Sequence, residues 1–389
     1  MNKIKVCHII TKLELGGAQR NTLHTVANLD TSRFEASLIS GIGGLLDSEA
    51  GSISHIRTYF IPSLIRRINP VLDITALIGI YKTLKKIKPD IVHTHSSKAG
   101  ILGRLAAKLA GVPVVLHTYH GFGFNDFQNI IVRSAYVVAE RLAVNFTDRF
   151  IAVTKEDIKK GVGHGIGYEA GYSLIRSGID ITKYAADPAG KDALIKELEL
   201  KRDDKVVTTI GPFKPQKNLG DFIKACAIVA AEAPKTRFFI VGDGRQRGML
   251  EKLIKKYDLS GKLTLLGWRK DIPQILSVTD IFAMTSLWEG LPRAILEAMC
   301  TGLPVVANAV DGVKEIVKDG ETGYLIKPGD INDFAAKLKN LLKNPERAKS
   351  MGKKGASLIS QQYDINFMVR QQENLYTELM ENKNEHEIR

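Results

Sequence analysis

No apolar stretch in this chain approaches the ~18 residues that a membrane-spanning helix needs. Cysteine is nearly absent. Cys7, Cys226 and Cys300 stand singly, with no CxxC or metal-ligand spacing. That excludes a disulfide scaffold or a zinc module and leaves three reduced, buried thiols as the expectation. No basic strip interleaved with aromatics appears, so nucleic acid ranks last among possible partners. The N-terminus is basic (Met1 to Lys5), but the apolar run behind it, Val6 to Ile10, is broken by His8. It is too short for a secretory signal, and a cytoplasmic protein is expected.

What is present points to two globular domains. The chain has 389 residues, 44% hydrophobic and 25% charged, more than one ordinary core accommodates. Lys and Arg outnumber Asp and Glu by 55 to 42, a net +13. The excess is uneven: residues 1–185 hold 23 basic and 14 acidic side chains. Within 57–108, Arg57, Arg66, Arg67, Lys82, Lys85, Lys86, Lys88, Lys98, Arg104 and Lys108 face only Asp73 and Asp90. Such a face suits phosphorylated ligands or an anionic lipid surface. The stretch Tyr59–Ile65, apolar before Arg66 and Arg67, is expected to insert shallowly into a membrane if exposed; a solvated basic surface around a buried segment is the alternative.

Short β-branched runs alternate with helical segments, the pattern of parallel α/β units. Strands are expected at Ile4–Ile10, Phe34–Ser40, Asp90–His95, Val112–Tyr119 and Arg149–Val153, then at Lys205–Ile210, Arg237–Val241, Lys262–Leu266, Ile281–Thr285 and Pro304–Ala307. Between the two series, Ser177–Asp180 and Ala185–Gly190 read as a linker. The expected architecture is α/β: two doubly wound, Rossmann-like parallel sheets, residues 1–184 and 185–362, with ligands at the carboxyl ends of the strands in a cleft. A helical tail, 363–389, is expected to pack back on the first domain.

The most informative string is Ser286-Leu287-Trp288-Glu289-Gly290-Leu291-Pro292-Arg293, continuing to Glu297. A strand ends near Ser286, and Pro292 suits the first position of a helix. The free N–H groups around Gly290–Arg293 then favour phosphate or sugar oxygens. Glu289 and Glu297 could clamp hydroxyl pairs on two parts of one elongated ligand. The plain alternative is a strand-turn-helix with two solvated carboxylates.

Glu289 and Glu297 enclose seven residues, and Gly302-Leu303-Pro304, Gly320, Gly323 and Pro328-Gly329-Asp330 follow. This string resembles the E-x7-E region of retaining glycosyltransferases of family 4, which have the two-domain GT-B fold. The resemblance extends over nearly the whole chain. It implies that Glu297 binds the nucleotide ribose and Glu289 the donor sugar, helped by backbone N–H groups at Gly290 and Leu291 beside Pro292. Gly211 to Asn218 resembles the family's diphosphate loop, with Lys217 placed to neutralise a leaving diphosphate. The family usually has Arg directly after the Gly; here Pro212 stands, and Lys214 is the candidate replacement. Gly16-Gly17 resembles the family's paired glycines near the first helix, while Gln19 stands where many relatives carry Glu and takes no catalytic role. Gly242-Asp243-Gly244 with Arg247 resembles an element beside the nucleotide.

His120 resembles the family's donor-contacting histidine. His93 and His95 end the preceding strand, where alternation is expected to turn one of them inward more than the other. His95 is kept as an acceptor-site candidate. Structural roles are expected for His93, His117, His8 and His164, and Gly161–Gly167 reads as a mobile connection. The catalytic candidates are therefore Glu289, His120 and Lys217. Binding candidates are Gly16, Gly17, Lys214, Lys217, Gly242, Gly290, Leu291, Pro292 and Glu297.

The resemblance implies a metal-independent retaining transferase with no cofactor, since no Asp-x-Asp site appears where the donor would lie. The expected donor is a nucleoside-diphosphate sugar, UDP by family prevalence. The expected acceptor is a polyprenyl-diphosphate-linked saccharide, reached by peripheral contact with an anionic membrane. Two other readings remain: a UDP-sugar 2-epimerase-type isomerase on the same architecture, and a non-catalytic subunit that binds a sugar nucleotide.

Overall fold

A computed structural model describes residues 3–185 and 188–388. Ala186 and Asp187, inside the expected linker, lie outside the described residues. The chain divides into two compact units, residues 1–178 with 365–389, and 179–364. Both are parallel α/β sheets covered on both faces, which is why their strands read as nearly continuous apolar runs.

The first unit carries β1 (Ile4–Lys12), β2 (Phe34–Gly41), β3 (Arg57–Phe60), β4 (Ile91–His95), β5 (Val114–Tyr119), β6 (Arg149–Ala152) and β7 (Tyr172–Leu174). They lie in the order β3-β2-β1-β4-β5-β6-β7. The second unit carries β8 (Lys205–Ile210), β9 (Thr236–Val241), β10 (Leu263–Gly267), β11 (Ile281–Met284), β12 (Val305–Asn308) and β13 (Gly323–Ile326). Their order is β10-β9-β8-β11-β12-β13. In each sheet the winding reverses between two central strands, β1/β4 and β8/β11. The loops that leave those strands diverge and open a crevice, the place where such sheets bind ligands.

Three strands lie beyond the sequence expectation: β3, β7 and β13. All three are sheet edges of only three or four residues, so they carry no long apolar run. The helix Pro345–Leu358 escapes the pattern for a related reason. Its buried face is Ala348, Met351, Gly352 and Gly355, mostly small residues. A Cβ on Gly352 would fall 1.8 Å from the Gly302 carbonyl oxygen, so only glycine allows that approach.

The units divide at Gly178/Ile179 and Asp364/Ile365, not at 184/185 and 362/363. The Ile179 N–H donates to the Tyr363 carbonyl at 2.8 Å, and Cys300 Sγ lies 3.6 Å from the Ile181 carbonyl. These contacts tie 179–184 into the second unit. The last helix, Ile365–Ile388, belongs to the first unit. It places Ile365, Met368, Val369, Leu375, Tyr376 and Leu379 in a core with Val6, Ile10, Val26 and Leu116. The three cysteines are free, Cys7 and Cys226 buried and Cys300 partly so. Residues 161–163, expected in a mobile connection, close the helix Lys155–Gly163.

Candidate functional site

In the second unit, the loops after β8 and β9 grip each other. Gly211 N–H donates to the Val241 carbonyl and Phe213 N–H to the Asp243 carbonyl, both at 2.9 Å. Gly242 has φ +134°, and a Cβ there would fall 2.1 Å from the Gly211 carbonyl oxygen. Glycine is therefore required for the two loops to meet. Arg247, one turn on, bonds Asp243 at 2.9 and 3.0 Å and lies over the Phe213 ring at 5.5 Å. It puts a third cation beside the loop that bears Lys214 and Lys217.

The loop after β11 is stitched to the loop after β8. Leu287 N–H donates to the Gln216 carbonyl at 2.8 Å, and Gln216 Nε2 to the Trp288 carbonyl at 2.9 Å. Lys217 Nζ then reaches Glu289 Oε1 at 2.5 Å. The Glu289 N–H donates to Asp311 Oδ2 at 2.8 Å. Behind them, Asn308 Nδ2 holds the carbonyls of Thr285 and Ser286 at 2.9 and 3.2 Å. Glu289, Gly290, Leu291 and Pro292 are all buried.

Glu297 lies in the helix Arg293–Cys300, and Arg293 Nη2 stands 3.5 Å from its Oε1. Both carboxylates are nine-tenths buried, and buried charge demands a partner. The solvated-carboxylate alternative is thus overturned. Pro292 stands one place before the helix, extended at φ −76°, ψ 102°. It orients the entry to the first turn and is not itself within it. Asp311, Asn308 and Arg293 have no motif of their own, and sequence reading missed their parts. A broader depression of this unit, lined by Lys224, Tyr257 and Lys327–Asn332, touches none of the expected residues.

In the first unit, Gly16 is the extended residue before the helix Gly17–Asn28, so the paired glycines form the turn from β1 into it. His120 follows β5 and is half-buried. Its Nε2 lies 3.2 Å from His95 Nδ1, and His95 Nε2 lies 2.9 Å from His8 Nδ1. His93 and His95 share one face, their rings 4.2 Å apart; residues i and i+2 of a strand point the same way, so the expected split between them fails. His93 sits between Tyr376 and Thr118, 2.6 Å from each hydroxyl. His117 Nδ1 meets Thr94 Oγ1 at 2.8 Å.

Burial lowers the basicity of His8 to about 3 and of His120 to about 4. His93, His95 and His117 are held well below 6.5, by burial first. All five are neutral imidazoles at physiological pH. The ligand atoms of His8, His93 and His95 lie within 4.8 Å of one another, a spacing that could hold a metal ion. Each of their ring nitrogens already has a hydrogen-bond partner.

The basic region 57–108 is only partly a surface. Arg104 is fully buried and bonds Glu140 at 2.6 Å; Glu140 also accepts from the Tyr119 hydroxyl at 2.8 Å. Lys98 pairs with Asp73 at 2.5 Å. Ile61 and Leu64 are core residues beside Ile39 and Ile80, so Tyr59–Ile65 is not free to insert. Of that stretch Phe60 is exposed, and the other exposed apolar side chains of the region lie on and beside the next helix, Pro70–Ile87: Ile68, Val71, Ile74 and Ile78. Among the described residues, no helix is long and apolar enough to cross a membrane.

Residues 15–183 match the family description Glycosyltransferase Family 4, and residues 190–358 match Glycosyl transferases group 1. The chain is similar, at 37% identity over 98% of its length and 99% of the relative's, to a UDP-Gal:alpha-D-GlcNAc-diphosphoundecaprenol alpha-1,3-galactosyltransferase of Escherichia coli. It is 24% identical to an N-acetyl-alpha-D-glucosaminyl L-malate synthase of Bacillus anthracis, over 80% of each chain. Among solved structures, Anabaena HepE in complex with UDP and glucose superposes with a TM-score of 0.82 at 22% identity, covering 96% of this chain and 99% of that one. A sucrose-phosphate synthase of Thermosynechococcus elongatus gives 0.83 at 20%, covering 98% and 100%.

Proposed function

The chain belongs to glycosyltransferase family 4, and we propose that it moves a sugar from UDP to a saccharide carried on a polyprenyl diphosphate. One observation carries the donor half of this reading: the Lys217–Glu289 pair, held between loops that leave β8 and β11 on either side of the reversal in winding. A cation and a carboxylate at one point suit a ligand that is anionic on one side and hydroxylated on the other. In this reading Glu289 takes donor-sugar hydroxyls with the N–H groups of Gly290 and Leu291. Glu297 takes the ribose. Lys217, with Lys214 and Arg247 nearby in sequence and loop, steadies the diphosphate. Within the first unit, Gly16, Gly17 and His120 are the binding candidates.

The chemistry follows from the leaving group. The bond between the anomeric carbon and the diphosphate oxygen breaks, the acceptor oxygen bonds that carbon, and its proton passes to the departing phosphate. Attack from the face that the nucleotide leaves retains configuration. Fixed ammonium and guanidinium groups, with helix N-termini, neutralise the developing charge in place of a metal ion. The 37%-identical relative, whose name states a UDP-galactose donor and a diphosphoundecaprenol-linked GlcNAc acceptor, supports the substrate pair.

A lipid-linked acceptor calls for contact with a membrane face. The stripe Val71, Ile74 and Ile78 is exposed, and Lys82 and Lys85 continue it along the same helix, with Arg66 and Arg67 before it. Apolar side chains ringed by exposed cations suit an anionic cytoplasmic leaflet. The test is to incubate the protein with a panel of UDP-sugars, with and without polyprenyl-diphosphate-linked GlcNAc, and to analyse the nucleotide and lipid fractions. Sugar on the lipid supports the reading. A changed sugar nucleotide without acceptor would indicate an isomerase, and neither product a binding subunit.

A further inference from the structure

Beneath His120 runs a chain of hydrogen bonds whose protons can be counted. His120 Nε2 meets His95 Nδ1 at 3.2 Å, His95 Nε2 meets His8 Nδ1 at 2.9 Å, and His8 Nε2 meets the Tyr376 hydroxyl at 3.3 Å. The His8 and His95 rings are within 9° of parallel with centroids 5.2 Å apart, the separation expected of two rings joined edge to edge through a 2.9 Å bond. The Tyr376 oxygen has two further neighbours, His93 Nδ1 at 2.6 Å and Gln372 Oε1 at 3.2 Å.

A phenol has one proton to give. The 2.6 Å separation from His93 is the length of an O–H donor bond and shorter than an N–H donor usually makes. The phenol proton therefore lies toward His93, and His8, the most distant of the three neighbours at 3.3 Å, carries hydrogen on Nε2 and donates to the Tyr376 oxygen. A neutral imidazole has a single N–H. His8 Nδ1 is then an acceptor, which requires N–H at His95 Nε2. His95 Nδ1 is in turn an acceptor, which requires N–H at His120 Nε2. Each ring fixes the next.

We propose that Tyr376, His8 and His95 are positioning residues that hold His120 as the Nε2–H tautomer, presenting a bare Nδ1 as hydrogen-bond acceptor for a substrate hydroxyl. His120 Nδ1 is buried without a partner among the described residues, as are both amide atoms of Asn21. His120 and Asn21 line one small cavity with Thr118, Ser177 and Gln372. The cavity is about 10 Å³, room for a single hydroxyl or water, and a substrate hydroxyl reaching into it would donate a hydrogen bond to His120 Nδ1. Burial keeps the rings neutral, so the relay carries no charge into the core. This inference rests on reading His120 as a site residue.

The test is long-range 1H–15N correlation of imidazole-labelled full-length protein at neutral pH, which reads the tautomer of each ring with no variant needed. The expected result is Nε2–H at His8, His95 and His120 and no imidazolium. In Tyr376→Phe, which deletes only the hydroxyl, His8 Nε2–H loses its acceptor. His120 is then expected to shift to Nδ1–H and kcat to fall roughly tenfold with the donor KM unchanged. Nδ1–H at His120 in the unaltered protein overturns the proposal, as does an unmoved tautomer in a folded Tyr376→Phe or a stoichiometric metal ion on the isolated protein. The site reading fails separately. If the tautomers are as expected but His120→Ala turns over normally, the relay stands and the role of His120 does not.

Discussion

Lys217 Nζ and Glu289 Oε1 lie 2.5 Å apart, and both side chains are largely buried. Each is the other's counter-charge before any ligand arrives, so neither can be removed without changing its partner.

Lys217→Ala should therefore raise the barrier by about 2–4 kcal/mol, the scale of one lost charge-stabilising donor. Glu289→Ala should chiefly slow turnover with the correct sugar. The Lys217→Ala/Glu289→Ala double variant should fall short of the sum of the two single effects. Steady-state kinetics on the four proteins checks this; strict additivity would contradict the coupling.

Glu297→Gln should weaken UDP binding by about 1–3 kcal/mol while leaving selectivity among UDP-sugars intact, because the ribose is common to all of them. Calorimetric titration with UDP is the measurement. Wild-type affinity would remove Glu297 from the nucleotide site.

Turnover should survive EDTA. The cations assigned to the leaving diphosphate are side chains, so chelation has nothing to withdraw. A rate that collapses with chelator and returns with Mn2+ or Mg2+ would overturn the metal-free chemistry.

Mild acid should loosen the first unit alone. All nine histidines lie outside residues 179–364. In the fold His8, His93, His95, His117 and His120 resist protonation well below 6.5. Once unfolded they take up protons near pH 6.5, so the unfolded state binds more protons as pH falls and stability is lost below that value. Each contributes roughly 1 kcal/mol per pH unit. Hydrogen exchange at pH 7.5 and 5.5 should show faster sub-global opening in the first unit and little change in the second. Equal loss in both would contradict it.

Liposome co-sedimentation should need anionic lipid and weaken with salt. It should drop for Arg66→Glu/Arg67→Glu and for Ile74→Ser/Ile78→Ser. Substitution at Phe60, off the exposed stripe, should matter less. Binding to neutral vesicles as strong as to anionic ones would count against a charge-driven surface.

Legibility in the sequence followed how local the determining physics is. The central strands and the helix bearing Glu297 announce themselves through apolar runs and turn residues, and family 4 was readable from the string between Glu289 and Pro328. Edge strands such as Tyr172–Leu174 were not, because half-solvated residues carry little pattern. Arg104 was counted as surface charge since nothing nearby in sequence reveals that Glu140, on another helix, would draw it inside. The histidine chain was invisible for the same reason. It joins β1, β4, the turn after β5 and a tyrosine near the end of the chain, and only the winding of the sheet brings them together.

That tyrosine has a consequence for biosynthesis. The first unit's sheet starts with β1 at Ile4, but its core cannot close until Met368 to Leu379 arrive, after the whole of the second unit has been made. At about 5–20 residues per second, the ribosome holds β1 and β4 without their covering helix for roughly ten seconds or more. The part of the protein translated first is thus completed last, and a chain truncated before residue 365 would leave the His8–His93 face open to water, with its imidazoles free to take up protons.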